Sequence, residues 1–117
     1  NDNLVPQTAV DFTININNPQ YISLQSIGGW VYVSGGSMGI VLYRSSESTI
    51  NAFDRHSPYR PEDRCRVLVD SSEIAVIDTC SNSRFLLSNG QPISGPATFP
   101  LSAYQSNFNG NILHVFN

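Results

Sequence analysis

Not one of the 117 residues is lysine, and all six basic residues are arginine. Against nine acidic residues they leave a net charge of −3 and a pI near 5.0. That balance excludes the broad cationic face that nucleic acid or an anionic membrane surface requires. Charged residues make up only 13% of the chain, about half the usual share. No apolar run approaches the roughly 20 residues that span a bilayer. No signal peptide is visible and the chain does not begin with Met, so the simplest expectation is a chain trimmed of an export signal or tether. The polar start, residues 1–8, reads as the end of such a linker.

Hydrophobic residues are ample at 40%, so the low charge does not indicate disorder, and the length suits one domain, residues 1–117, with one modest core. No long amphipathic pattern occurs; short β-rich runs alternate with Gly, Asn, Pro and Ser turns. Residues 10–16 place Val10, Phe12, Ile14 and Ile16 on one face. Further strands are expected over 21–24, 30–33, 39–44, 49–53, 65–69, 74–77, 85–87, 101–106 and 112–116. Asn89-Gly90 is the best hairpin signal among the turns. Nine or ten short strands at regular spacing predict an all-β fold, a small sandwich or barrel of antiparallel sheets. Residues 56–64 and 79–84 read as irregular, each beside a cysteine.

Cys65 and Cys80 are the only cysteines. Two thiols with no nearby Cys or His cannot complete a four-ligand zinc or iron–sulfur site. They are not spaced as Cys-x-x-Cys, which removes the thioredoxin-type redox motif. A structural disulfide in an oxidising compartment is the reading that remains for a small β-domain.

Other groups of residues admit a chemical and a plain reading. His56, Asp54 and Asp78 would make a mononuclear metal site only if the fold gathered them, and one imidazole with scattered carboxylates seldom suffices. Arg55, Arg60, Arg64 and Arg66 lie among Asp54, Glu62, Asp63 and Asp70, a pattern that could bind an acidic partner but that solvated mixed-sign surface charge explains better. Ser57, Ser81 and Ser83 have no base fixed by spacing, His114 sits in the last strand, and no Gly-x-Ser-x-Gly elbow occurs. Residues 35–39, Gly-Gly-Ser-Met-Gly, precede a strand and not a helix, which excludes a P-loop. Trp30, Tyr32, Tyr43 and Tyr59 offer an aromatic binding surface or ordinary strand packing.

Residues 51–101 carry a more specific pattern. Asn51-Ala52-Phe53-Asp54-Arg55, followed by Phe85-Leu86-Leu87-Ser88-Asn89-Gly90-Gln91-Pro92-Ile93-Ser94-Gly95-Pro96-Ala97 and then Pro100-Leu101, resembles the Rieske iron–sulfur domain. Residues 53–101 are similar to the cluster-binding subdomain of that family. The resemblance implies a Rieske-like arrangement of antiparallel sheets. It also implies a [2Fe–2S] cluster held by Cys-x-His in one loop and Cys-x-x-His in another. Counting from the matched segments puts the four ligand positions on Ser57, Tyr59, Asp78 and Ser81, none of them Cys or His. Serine hydroxyls and a phenol are poor iron ligands at neutral pH.

Many Rieske domains also clasp the two loops with a disulfide. The resemblance puts Cys80 at the second-loop position of that clasp and lets Cys65 reach it from a longer first loop. It therefore implies a cluster-less Rieske-like domain with no cofactor. The expected role is structural or interactional, with an unknown protein partner. The expected setting is a bacterial cell envelope, periplasmic or on the outer surface, with a possible lipid tether upstream of Asn1. Three alternatives stand beside it: a true Rieske electron carrier, a small binding module using the vacated loop pocket, and an enzyme built on that pocket.

Overall fold

The computed structural model describes residues 5–117. They form ten strands in two antiparallel sheets. β1 (Asp11–Asn15), β2 (Trp30–Val33), β3 (Ile40–Arg44), β4 (Ile50–Asp54), β9 (Ala103–Phe108) and β10 (Ile112–Phe116) build a six-stranded sheet in the order β1-β10-β9-β4-β3-β2. β5 (Val67–Val69), β6 (Ala75–Asp78), β7 (Ser83–Leu86) and β8 (Pro92–Ser94) build a four-stranded sheet in sequence order. The small sheet is thus an insertion between β4 and β9, which pair directly through Ala52–Tyr104 and Phe53–Ala103.

Burial follows strand position. β1 lies at the edge and alternates, with Phe12 and Ile14 half-buried and Asp11, Thr13 and Asn15 exposed. β3 runs between β2 and β4 and buries Ile40, Val41, Leu42 and Tyr43 in succession, because both of its faces are covered. One group of core residues includes Val10, Ile16, Leu24, Leu42, Leu113 and Val115. A second joins the two sheets: Val41, Tyr43 and Phe53 of the large sheet meet Val67, Val76, Phe85 and Leu87. Phe85 is completely buried there; burying such a side chain contributes roughly 1.5–3 kcal/mol.

Two segments differ from the sequence expectation. Residues 21–24 are not a strand but part of a kinked 3₁₀ helix, Pro19–Gln25, in which only Leu24 is buried. Pro19 has its φ fixed for a helical first turn, and the Tyr21 amide closes that turn on Asn18 O at 2.9 Å. Pro92–Ser94 is a strand the sequence reading did not include. Its proline is tolerated because β8 is an edge of the small sheet. Of the linker-like start, residues 1–4 lie outside the described residues, whereas Val5 is buried and Gln7 donates to Ser102 Oγ at 3.3 Å. Among the described residues no helix is long and apolar enough to cross a membrane.

Candidate functional site

The site lies where the segment after β4 meets the β6–β7 turn. Beyond β4 the chain stays extended for a few residues: Val67 N donates to Arg55 O, His56 bridges Arg66, and Ser57 N donates to Cys65 O at 2.8 Å. These bonds close residues 58–64 into a loop. Its tip is a short 3₁₀ turn, Pro61–Asp63, flanked by Arg60 and Arg64 in the left-handed region at φ 48° and 53°. Such conformations cost on the order of 1 kcal/mol each and persist where surrounding bonds fix them. Here the Asp63 and Arg64 amides return to Arg60 O and Pro61 O.

Closure of that loop brings Cys65 to Cys80, and the two form a disulfide with Cα atoms 6.3 Å apart. The pairing expected from the sequence is present, and it ties the loop after β4 to the β6–β7 turn.

Beneath the cystine sits Asp78, the last residue of β6 and wholly buried. Its Oδ2 accepts from Ser57 Oγ at 2.7 Å and from Ser81 Oγ at 3.0 Å, and its Oδ1 accepts from Cys80 N at 2.9 Å. Ser57 Oγ accepts in turn from Tyr59 N at 3.2 Å. Ser81 Oγ also lies 2.9 Å from Ser83 Oγ, which accepts from Ala97 N. No cation neutralises this carboxylate among the described residues; neutral donors satisfy it instead. Three of the four positions assigned by the resemblance, Ser57, Asp78 and Ser81, therefore share one hydrogen-bonded network. The fourth, Tyr59, reaches it through its backbone. The Tyr59 side chain helps to line an open hollow of about 380 Å³ with Arg60, Asp63, Asp78, Cys80 and Ser81.

The other candidate groupings come apart. His56 is buried with Nδ1 2.8 Å from Ser37 Oγ and Nε2 2.7 Å from Pro61 O, so both ring nitrogens are occupied. Asp54 is also fully buried, and it accepts from the amides of Ser37, Met38 and His56 and from the Tyr104 hydroxyl. Burial and that bond to Asp54 push the Tyr104 hydroxyl well above the ordinary phenol range. His56, Asp54 and Asp78 thus do not form the metal site that the sequence allowed. Among the described residues the one grouping of three potential metal donors is Cys65, Asp78 and Cys80, whose donor atoms lie within 4.8 Å of one another while the sulfurs are bonded together.

Among the described residues no imidazole bonds Ser57, Ser81 or Ser83; Ser57 and Ser81 donate to the Asp78 carboxylate, and Ser83 Oγ contacts Ser81 Oγ and accepts from Ala97 N. His114 stacks on Phe116 and bonds Asp11 at the far edge of the large sheet. The arginines also scatter. Arg60 pairs with Asp63 at 3.3 Å on the surface, while Arg55 is buried beneath Tyr32. Among the aromatics, Tyr43 is core, and Trp30 packs against Tyr32 with centroids 5.1 Å apart and donates to Glu73. Asp54 as the pin of the β2–β3 loop was missed by sequence reasoning. No local pattern carries it, since Met38, Ser37 and Tyr104 lie 16, 17 and 50 residues away and the one near partner is the His56 amide.

At the level of sequence, no family profile and no curated protein matches the chain. Solved structures do match. The plasma-membrane Rieske protein PetC3 of the cyanobacterium Synechocystis PCC 6803 superposes with a TM-score of 0.65 at 18% identity, over 87% of this chain and 97% of that one. The ferredoxin of carbazole 1,9a-dioxygenase from Nocardioides aromaticivorans IC177 gives 0.59 at 14% identity, over 92% and 96%. NirD of E. coli gives 0.52 at 14% identity, over 96% of each chain. With a six-stranded sheet carrying a four-stranded insertion, and a cystine joining the two loops at its end, the chain has the Rieske-like fold.

Proposed function

We propose that this protein is a Rieske-like domain that works without an iron–sulfur cluster, as a structural or interaction module of the cell envelope. The observation that carries the reading is the Ser57–Asp78–Ser81 network beneath the Cys65–Cys80 cystine. The residues present do not fit a [2Fe–2S] cluster. Such a centre takes two thiolates and two imidazoles, or four thiolates. Both cysteine sulfurs are bonded to each other, both nitrogens of His56 are engaged elsewhere, and His114 lies in β10, bonded to Asp11 of the edge strand β1. A buried carboxylate with three neutral donors stands where the resemblance calls for ligands, and it organises the loops by hydrogen bonding alone. No electron-transfer step is assigned to the chain.

The envelope setting rests on the cystine, with Cys65 half-buried and Cys80 exposed, since disulfides persist in oxidising compartments. A second reading is favoured by the hollow beside Tyr59, Arg60 and Ser81: the loop end would bind a small ligand or a partner's side chain there. The redox alternative is separable from both. Anaerobic reconstitution of purified protein with ferrous iron, sulfide and a thiol, followed by visible absorption and electron paramagnetic resonance, should leave it colourless and silent. A reduced-state signal of a stable cluster would overturn the proposal.

A further inference from the structure

A hollow larger than the one beneath the cystine lies away from the loop end. It is about 690 Å³, open to solvent, and lies between the β2–β3 loop and the start of β5. Its walls include Gln20, Tyr32, Ser34, Gly39, Arg55 and Arg66. In a chain with net charge −3, no acidic residue lines it, while two of the six arginines do.

Arg55 is the unusual member. It is only 7% exposed. Its Cζ lies 3.6 Å over the Tyr32 ring, and its Nε donates to Val67 O at 3.1 Å. Among the described residues neither Nη atom has an acceptor and no carboxylate pairs with Arg55 or Arg66. Among the described residues no buried side-chain nitrogen lacks a partner, so these Nη donors stay accessible to solvent, and Arg55 lines the open hollow with them free for a ligand. Arg66 adds a like charge nearby; burial first, and Arg66 in addition, lower the affinity of Arg55 for its proton.

The β2–β3 loop passes beside that fork: Gly39, at φ +92°, is close enough that a Cβ there would touch Arg55 Cδ at 3.6 Å and Nη1 at 3.9 Å, both ordinary packing distances. The loop's carboxylate partner, Asp54, is not on the hollow: it is spent on the amides of Ser37 and Met38 and on Tyr104.

We propose that this hollow is an anion site, in which Arg55 and Arg66 together hold a small ligand bearing a phosphate monoester group, which is close to doubly charged at neutral pH. Two guanidiniums without a counter-charge match a dianion in charge, and the planar fork of arginine suits its oxygens. The volume leaves room for a small polar body attached to that group. Nothing in this assignment depends on whether the loop end holds a cluster.

Titration of the intact protein with inorganic phosphate and with sulfate, against chloride at matched ionic strength, tests it by amide NMR. Saturable shifts are expected around residues 34–39, 55 and 66. Arg66→Gln, which removes an exposed side chain, should weaken binding at least about tenfold, and Arg55→Lys should weaken it while keeping the charge. Arg60→Gln, at the loop tip, should bind as the parent does. No saturable response to either anion at about 10 mM, a response that chloride reproduces, or parental binding by Arg66→Gln would each overturn the site.

Discussion

The Ser57 hydroxyl donates to the Asp78 carboxylate across 2.7 Å, and this bond joins two loops whose contact residues are 21 positions apart in the chain. The carboxylate is wholly buried and meets no cation among the described residues. It is held by three neutral donors, Ser57 Oγ, Ser81 Oγ and Cys80 N. Removing it should leave those donors without an acceptor. Asp78→Ala is therefore expected to cost about 3 kcal/mol in urea unfolding, the scale of leaving buried polar partners unpaired. Asp78→Asn keeps the shape and one acceptor oxygen and should cost about 1 kcal/mol. Equal stability of Asp78→Ala and the parent would show that the network contributes nothing.

The cystine closes a segment with a separation of 15 residues, a constraint on the unfolded chain of about 3 kcal/mol in the chain-entropy account. A Cys65→Ala, Cys80→Ala double variant, or the parent in excess reductant, should melt more than about 10 °C lower. An unchanged melting curve, or free thiols in the native protein, would contradict this.

Sequence reading located the cystine and nine of the ten strands, because period-two alternation and Gly/Asn turns are local signals. It misread residues 21–24, where the β-branched Ile22 and the aromatic Tyr21 resemble a strand while Asn18-Pro19 starts a helical turn. It also passed over Pro92–Ser94, where an edge position excuses a proline. Ser57, Asp78 and Ser81 were legible as positions, through counting from Asp54-Arg55 and from Phe85. Their bonding was not, since which hydroxyl meets which carboxylate depends on how two loops fold back across a disulfide. The buried Arg55 read as one of four surface charges, because nothing nearby in sequence announces the Tyr32 ring that covers it.

Acid should loosen the small sheet first. Burial favours the neutral form of Asp70, but hydrogen bonds from Ser72 and two from Arg84, whose Nε and Nη2 both donate to Oδ2 at 2.9 and 2.7 Å, outweigh it and hold the carboxyl below its usual value of 3.8. The folded state thus binds this proton less readily than the unfolded one. Its contribution is present above the unfolded value and is lost as pH falls below about 4 through the folded value. Asp70→Asn should cost about 1 kcal/mol at neutral pH and show a shallower loss of stability on acidification. Parallel acid-unfolding curves for the parent and Asp70→Asn would refute the assignment.

Gly90 combines a φ of +77° with a close approach to the core: a Cβ there would fall 2.8 Å from Phe53 Cε1. Its amide donates to Leu86 O and its carbonyl accepts from Leu101 N, so the turn cannot easily move aside. Gly90→Ala should destabilise by about 2 kcal/mol, from the left-handed backbone and the overpacked ring together. A change below about 0.5 kcal/mol would show that Phe53 yields freely.

The central claim, a Rieske-like fold working without its cluster, is tested most directly by iron and acid-labile sulfide analysis of protein purified from cells that load Rieske centres. Colourless protein with neither element, and with Cys65 and Cys80 recovered as a cystine, is the predicted result. Brown protein carrying about two irons and two sulfides per chain would contradict it.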